Sequence, residues 1–240
     1  MNYKLNISAG GIFSKYMVGI QNAALYEAQS YYFNISDSRT NSDMFDNIFT
    51  QDSFNFRETK ECRFLGTYSK YKLINASSNL NKYKNIIDKM KFNDHFLEKF
   101  NDTNKKLNVD DSMVGVHIRL TDMNIYHKDD YGALNFQDFK NHFNENTRYF
   151  VSSDNEESLI KLKELYGDNI VYNENFIRCA FENDDSIKLQ LENFRNNNFW
   201  IEAFIEMLLL SKCGSLVCRS SNLSNVAILY SNTFKNITML

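Results

Sequence analysis

The pattern of hydrophobic and polar residues changes near the middle of the chain. Before residue 100 the apolar positions are irregular, except in segment 79–100, and the polar segment 36–47 is predicted to be a loop. Segment 79–100 has roughly helical spacing at Ile86, Ile87, Met90, Phe96 and Phe100. A polar connection is predicted over 101–112, and beyond it strand-length apolar runs alternate with longer helical patterns. The pattern predicts two domains, over 1–105 and 106–240.

The second domain shows regular alternation of strands and helices. The predicted strands cover 113–118, 147–154, 169–173 and 215–219, and the predicted helices cover 135–144, 156–167, 197–213 and 221–232. Gly167 is predicted to end the second of these helices. The strands are almost continuously apolar, which is typical of parallel sheets covered on both faces. The predicted class is therefore α/β, with a doubly wound, Rossmann-like second domain and a reduced, less regular α/β first domain.

Composition narrows the classes of function. The net charge is −3, so there is no broad basic field for duplex nucleic acid. No apolar run approaches the ~20 residues of a membrane span, and the N-terminal residues lack the apolar core of a signal peptide. The four cysteines form no Cys-x-x-Cys pair, which favours reduced, packed thiols over a disulfide or zinc site. We therefore expect a cytoplasmic protein.

Polar side chains cluster where three predicted strands end. They are His117, Arg119 and Asp122 after the first strand, Ser152, Ser153 and Asp154 after the second, and Arg219, Ser220, Ser221 and Asn222 after the last. Polar loops alone account for any one of these clusters. Three on one edge of one sheet favour a site, because ligands of open parallel sheets bind beyond the carboxyl ends of the strands.

The chemistry of these residues suits a phosphate or diphosphate. Ser220, Ser221 and Asn222 can cap the last helix, whose first N–H groups then point outward with a partial positive charge. Arg119 can add a bidentate guanidinium. The chain lacks G-x-G-x-x-G and G-x-x-x-x-G-K-[ST], which excludes a standard dinucleotide fingerprint and a P-loop. It also lacks the D-x-D of metal-dependent nucleotide-sugar transferases, so we expect neither a metal nor a cofactor.

Three further acidic or basic positions allow two interpretations each. Glu202 and Glu206 lie one turn apart on an apolar helix. Either both face solvent on one side of the helix, or Glu206 lies at the edge of a ligand pocket. There its carboxylate would suit two adjacent N–H donors, such as those of guanine. His127 lies in the segment YHKDDY. It is either a residue of a solvent-exposed loop or a catalytic acid–base group. The chain has no G-x-S-x-G nucleophile elbow, so hydrolase triads have no support.

Three blocks resemble the GDP-fucose-dependent fucosyltransferases, which include the α-1,6, α-1,2, nodulation and protein O-fucosyltransferases. VGVHIRLTD (114–122) resembles their HxRRxD motif. YFVSSDNEESLIKLKELYG (149–167) is similar to the second strand and helix of that family. EMLLLSKCGSLVCRSSNLSNVAILY (206–230) is similar to its third block, and NKYKNIIDKMKFNDHFLEKF (81–100) to the helical lead-in. The resemblance covers about residues 80–235.

The resemblance implies a GT-B fold and inverting, metal-independent transfer of fucose from GDP-fucose to a glycan hydroxyl. It implies that Arg119 contacts the diphosphate, His117 lies near the guanosine and Glu206 holds the guanine. The implied donor-binding residues are His117, Arg119, Asp154, Glu206, Ser220, Ser221 and Asn222. The catalytic candidates are Arg119, Asp122 as the motif acid, and His127, with Asp129 and Asp130 as further possible bases.

The chain departs from the family at several positions. Leu120 stands in place of the second motif arginine, Glu206 replaces an aspartate, and one residue is missing before Ser220. The Gly-rich segment 8–28 does not match the family's Gly-x-Gly-Asn-Gln. Two alternatives therefore stay open: a related glycosyltransferase with another nucleotide-sugar donor, and a non-catalytic homologue that binds a nucleotide or glycan.

Overall fold

The structure is a computed structural model that describes part of the chain. The described residues are 2–7, 13, 16–17, 20, 22–23, 30–35, 47–50, 58–61, 77–120, 133–176, 178 and 197–240. The chain divides into two compact units, Met1–Lys99 and Phe100–Leu240. Most of the predicted loop 36–47, most of the Gly-rich segment 8–28, and Cys62 and Cys179 lie outside the described residues.

The first unit contains a small parallel sheet. Its strands β1 (Asn2–Ile7), β2 (Ser30–Ile35) and β4 (Glu58–Glu61) are arranged in the order β2-β1-β4. Strand β3 (Phe49–Thr50) pairs antiparallel with β5 (Lys91–Phe92). The described part of the first unit therefore contains a parallel sheet, in agreement with the predicted α/β class.

Stacked aromatic rings build part of the core of the first unit. Phe49 stacks on Tyr16 with ring centroids 5.5 Å apart and on Phe92 at 5.0 Å, and Phe92 stacks on Phe96 at 4.9 Å. Tyr16 and Phe96 are fully buried. These rings hold β3 and β5 beside the helical residue Tyr16 and the helix that contains Phe96.

The apolar stretch 79–100 forms two helices and not one continuous helical segment. Helix α1 (Ser77–Ile87) ends before β5, and α2 (Asp94–Leu107) begins after it. The side chain of Asn93 accepts a hydrogen bond from the N–H of Phe96 at 2.8 Å, which caps the start of α2. Because α2 continues to Leu107, the prediction of a polar connection from 101 was also wrong.

The second unit is built on a five-stranded parallel sheet. Its strands are β6 (Val114–Ile118), β7 (Tyr149–Ser153), β8 (Ile170–Val171), β9 (Ser215–Cys218) and β10 (Asn236–Met239). Its helices are α3 (Phe136–Lys140), α4 (Glu156–Tyr166), α5 (Asn197–Lys212) and α6 (Asn222–Tyr230). The strand order is β10-β9-β6-β7-β8, and every pair is parallel. Four strands match predictions, whereas β10 was not predicted.

Helices cover both faces of this sheet, which confirms the doubly wound prediction. On one face, Val116, Ile118 and Val151 share a core with Phe139 and Leu159, which belong to α3 and α4. The opposite face carries Gly115. A Cβ there would lie 3.1 Å from the Leu210 side chain and 3.3 Å from Cys213, so α5 and the turn after it pack closely on β6.

Two glycines are required by backbone geometry. Gly167 ends α4 with φ at 54°, a left-handed conformation that favours glycine, as predicted. Gly214 joins α5 to β9, and its N–H donates to the Met113 carbonyl at 3.0 Å. A Cβ at Gly214 would lie 2.1 Å from the Asp111 carbonyl oxygen, so only glycine fits.

Candidate functional site

The order of the second sheet reverses between β6 and β9. From β6 the chain proceeds outward through β7 and β8, and then returns to the other side of β6 for β9 and β10. In open α/β sheets, such a switch point opens a crevice at the carboxyl ends of the two central strands. Arg119 directly follows β6, and Arg219, Ser220 and Ser221 directly follow β9. Two of the predicted clusters therefore lie on either side of this crevice.

Helix α6 begins at the carboxyl end of β9. Ser221 is its N-cap, with the hydroxyl accepting from the Ser224 N–H at 3.1 Å and the Ser221 N–H donating to the Ser224 hydroxyl at 3.0 Å. The Ser224 O–H also donates to the Arg219 carbonyl at 2.9 Å. This capping box fixes where the helix starts. The first N–H groups of a helix have no acceptor within it, so its start favours an anion.

His117 links β6 to the start of α6. Its side chain is buried, and its Nδ1 lies 3.3 Å from the Ser221 hydroxyl. Either group is able to donate, depending on which ring nitrogen carries the proton. The contact spans the two sides of the switch point, so the structure brings together the predicted site residues His117 and Ser221.

Asp154 fixes the backbone on both sides of Arg119. Its Oδ1 accepts from the Leu120 N–H at 3.1 Å, and its own N–H donates to the Ile118 carbonyl at 3.3 Å. Arg119 itself is partly exposed at the edge of the sheet. The carboxylate after β7 therefore holds the turn that presents the predicted arginine.

The departure at Leu120 has a structural explanation. Leu120 is 2% exposed and belongs to the same core as Val116, Phe139 and Leu159. A guanidinium in this position would have to be buried among apolar side chains or would force the chain to turn. In this chain the second motif position therefore contributes to packing, and Arg119 is the arginine of the motif that reaches the edge.

Glu206 is buried and has two partners within the protein. It is 1% exposed, which excludes the solvated-stripe interpretation for this residue. Its Oε2 accepts from the Ser152 hydroxyl at 2.6 Å, and its Oε1 pairs with Nη2 of Arg178. One turn earlier, Glu202 accepts from the Asn173 side-chain amide at 2.7 Å. For guanine to reach Oε1 of Glu206, Arg178 would have to leave it.

Sequence reasoning missed Arg178. It lies beyond β8 within NENFIRCAFEN, where no motif or periodicity singles it out. Its pairing with Glu206 joins positions 28 residues apart. Arg178 is the only basic residue of this stretch, but a lone arginine is not by itself a signal of a buried ion pair.

Burial raises the pKa of the Glu206 carboxyl to about 7, from an ordinary value of 4.5. The Arg178 guanidinium and the Ser152 hydroxyl act in the opposite direction, whereas the neighbouring Glu202 and Asp154 add to the rise. Between these two pKa values the folded protein holds a proton that the unfolded chain releases. Stability is therefore highest below pH 4.5 with respect to this group and falls as the pH rises to about 7.

We expect the wild type to lose stability relative to Glu206→Gln as the pH rises from 4.5 to 7. The difference in free energy of unfolding should change by up to about 1.4 kcal/mol for each pH unit, and level off above pH 8. Urea unfolding of both proteins between pH 4.5 and 8.5 measures it. A difference that is constant over this range would contradict the burial-raised pKa.

Two of the four cysteines, Cys213 and Cys218, lie in the described residues. Cys213 and Cys218 are free and buried, and burial raises the pKa of both thiols to about 12, so both are packed, unreactive thiols.

Within residues 77–120, 133–176 and 197–240 and the shorter described stretches, no cluster of His, Cys, Asp or Glu could hold a metal ion. No described helix is both long enough and apolar enough to cross a bilayer.

Several predicted site residues have no description in the structure. Asp122, His127, Asp129 and Asp130 all lie in the undescribed segment 121–132. Because the candidate bases all lie in that segment, the catalytic base stays a prediction.

The predicted residues Ser220 and Asn222 are described, and both are partly exposed at the start of α6, beside Ser221.

Comparison with solved structures identifies the fold. No protein-family model and no curated protein sequence matches the chain. NodZ α-1,6-fucosyltransferase crystallised with GDP superposes with a TM-score of 0.56 at 10% identity, covering 96% of this chain and 93% of NodZ. FUT1 of Arabidopsis thaliana in complex with GDP gives 0.53 at 13% identity, covering 98% of this chain and 70% of FUT1. POFUT1 in complex with GDP gives 0.50 at 8% identity, covering 99% and 97%. The chain therefore has the GT-B fold of these fucosyltransferases, as the resemblance implied.

Proposed function

We propose that the protein is a glycosyltransferase that moves fucose from GDP-fucose to a glycan hydroxyl, with inversion at the sugar carbon. The observation that carries this proposal is the crevice at the switch point, where Arg119 follows β6 and the capped start of α6 follows β9. The similarity in fold to NodZ and FUT1, whose structures contain GDP, supports the same ligand class here. In this proposal residues 106–240 bind the donor and residues 1–105 serve the acceptor side.

The leaving diphosphate is the group that the site is suited to stabilise. Cleavage of the bond to the sugar places negative charge on the departing nucleotide. A guanidinium from Arg119 and the N–H groups at the start of α6 would neutralise this charge without rearrangement. Asp154 holds the backbone turn around Arg119, and His117 contacts Ser221, so the backbone on both sides of the crevice is supported by the protein itself.

We further propose that transfer needs no metal ion, because Arg119 and the helix start supply positive charge where other transferases use a cation. The acceptor hydroxyl would lose its proton to one of the predicted bases, which are Asp122, His127, Asp129 and Asp130. The free, buried thiols of Cys213 and Cys218 support a cytoplasmic location.

Leu120 favours one second candidate, a protein that binds a nucleotide sugar without turning it over. A buried leucine removes one of the two positive charges that the family motif carries. Binding of the nucleotide would then persist through the helix start and Arg119, whereas the rate of transfer would be lost.

Binding of GDP tests the proposed site. A ligand at about 100 times its Kd adds about 2.7 kcal/mol of stability, which for a chain of this size raises Tm by roughly 5–10 °C. We expect this rise with GDP and little or none with guanosine, because guanosine lacks the diphosphate. Thermal denaturation with each ligand measures the difference.

Arg119→Met should remove most of the GDP shift, and Arg148→Met is the matched control. Arg148 directly precedes β7, at the amino edge of the sheet and away from the crevice. Equal shifts with GDP and guanosine, or no loss in Arg119→Met, would exclude a diphosphate site at the switch point.

A further inference from the structure

Arg178 is bound on every side by groups of the second unit. Its Nε donates to the Ser153 carbonyl at 3.1 Å, and Nη1 donates to the carbonyls of Asn173 and Phe176, each at 2.8 Å. Nη2 pairs with Glu206. The side chains of Arg178 and Glu206 are 4% and 1% exposed. A guanidinium with this many fixed partners is part of the architecture and not a mobile surface charge.

Two aromatic rings complete the surroundings of Arg178. Its guanidinium carbon lies 5.5 Å from the ring centre of Tyr172 and 5.1 Å from that of Phe176. Phe176 in turn lies against Phe199 of α5, with ring centroids 5.1 Å apart. The arginine therefore ties the chain beyond β8 both to the end of β7 and to α5.

From Glu206 the polar contacts continue toward the switch point. Glu206 accepts from Ser152 of β7, and Ser152 is in register with His117 of β6. His117 in turn lies against Ser221, the N-cap of α6. Polar side chains on β7 and β6 thus lie between the Arg178–Glu206 pair and the helix start that we propose as the diphosphate site.

We propose that Arg178 is a positioning residue, which pairs with the Glu206 carboxyl group and sets the position of the polar groups that lead to Ser221. In this role Arg178 takes the place at Glu206 that the family resemblance assigns to guanine. The proposal rests on the proposed function, since it concerns how the same site reads its nucleotide. It has two consequences: Glu206 does not recognise the base, and loss of Arg178 weakens every nucleotide diphosphate alike.

The test compares GDP with IDP, which lacks only the exocyclic amine of guanine. A carboxylate that accepts both the ring N–H and the exocyclic amine of guanine would bind IDP much more weakly than GDP, because IDP leaves one carboxylate oxygen without a donor. We expect the wild type to bind GDP and IDP with Kd values within about threefold of each other, and Glu206→Gln to keep that ratio. Arg178→Met should weaken both ligands in parallel by about tenfold or more, and Arg178→Lys should recover part of the loss. Isothermal titration supplies the Kd values, with Arg148→Met as control.

Trp200 provides a readout that needs no nucleotide. It is the one tryptophan of the chain, is buried, and packs edge-on against Phe199, which contacts Phe176. In folded Arg178→Met the Trp200 emission should move to longer wavelength, in Arg178→Lys it should largely return, and in Arg148→Met it should stay at the wild-type value. If GDP fails to bind while these emission changes occur, the proposed function falls and the structural role of Arg178 stands.

Two results would overturn the positioning role. One is a wild-type preference for GDP over IDP of about 30-fold or more that disappears in Glu206→Gln. That result would mean that Arg178 leaves Glu206 and that Glu206 then binds the guanine. The other is an Arg178→Met protein with wild-type affinity for both ligands. If Arg178→Met does not fold, the GDP-to-IDP ratio of the wild type and of Glu206→Gln decides between the two assignments.

Discussion

Replacing Arg119 by alanine is expected to lower the rate of fucose transfer by a factor of about 10² to 10³. Arg119 directly follows β6 at the carboxyl edge of the sheet, and Leu120 beside it is buried, so we propose Arg119 as the positive side chain of the first motif that serves the crevice. Arg119→Lys should recover little, because a lysine offers a point charge in place of the planar fork that matches a diphosphate. Steady-state transfer from GDP-fucose to a glycan acceptor measures both variants.

The fold of these variants should be unchanged. Arg119 is partly exposed, and the turn around it is held by Asp154 through backbone groups that the substitution leaves in place. Urea unfolding should therefore give wild-type midpoints, and Arg148→Ala should keep wild-type activity. Retention of more than about a tenth of the wild-type rate in Arg119→Ala would refute the diphosphate role.

Gly214→Ala is expected to cost about 3 kcal/mol of stability, the largest loss that we predict for a single methyl group. The added Cβ would meet the Asp111 carbonyl oxygen, and backbone cannot move aside as a flexible side chain can. Gly214 is also tied on both sides: its N–H donates to Met113, and its carbonyl accepts from the Lys235 N–H at 2.7 Å. Strain there would separate β6 from the segment that leads into β10. The midpoint of urea unfolding measures the loss.

Gly115→Ala is the matched comparison. Its new Cβ would lie 3.1 Å from a terminal methyl group of Leu210, which is able to shift by a few tenths of an ångström. A loss of about 1 kcal/mol is expected there. An equal loss for the two variants, or a Gly214→Ala protein as stable as the wild type, would show that the connection between α5 and β9 is not constrained as described.

The sequence predicted the second unit well because its signals are local. Buried strands such as β6 and β7 begin with apolar residues, and β7 is followed by Asn155, which caps the next helix. Gly167 ended its helix as predicted, since a left-handed residue after a helix favours glycine. The strand ends also predicted the edge of the sheet at which His117 and Ser221 meet.

Features that depend on distant pairing were not predictable in the same way. Strand β4 has the sequence ETKE, with no apolar residue, and is a strand because β1 pairs with it. Strand β10 likewise forms because β9 lies beside it. The apolar spacing through 79–100 continues across the short strand β5. The periodicity therefore predicted one helical segment where the structure has two helices. The contact between Arg178 and Glu206 follows from the tertiary fold and leaves no local pattern.

The central claim is that the capped helix start and Arg119 activate GDP-fucose without a metal ion. The most direct measurement is release of GDP from GDP-fucose, with fucose followed onto a panel of glycan acceptors, in the presence of excess EDTA. We predict acceptor-dependent release of GDP that is unaffected by EDTA and is lost in Arg119→Ala. GDP-fucose that binds and raises Tm but is never turned over, or turnover that EDTA abolishes and Mg²⁺ or Mn²⁺ restores, would contradict the account.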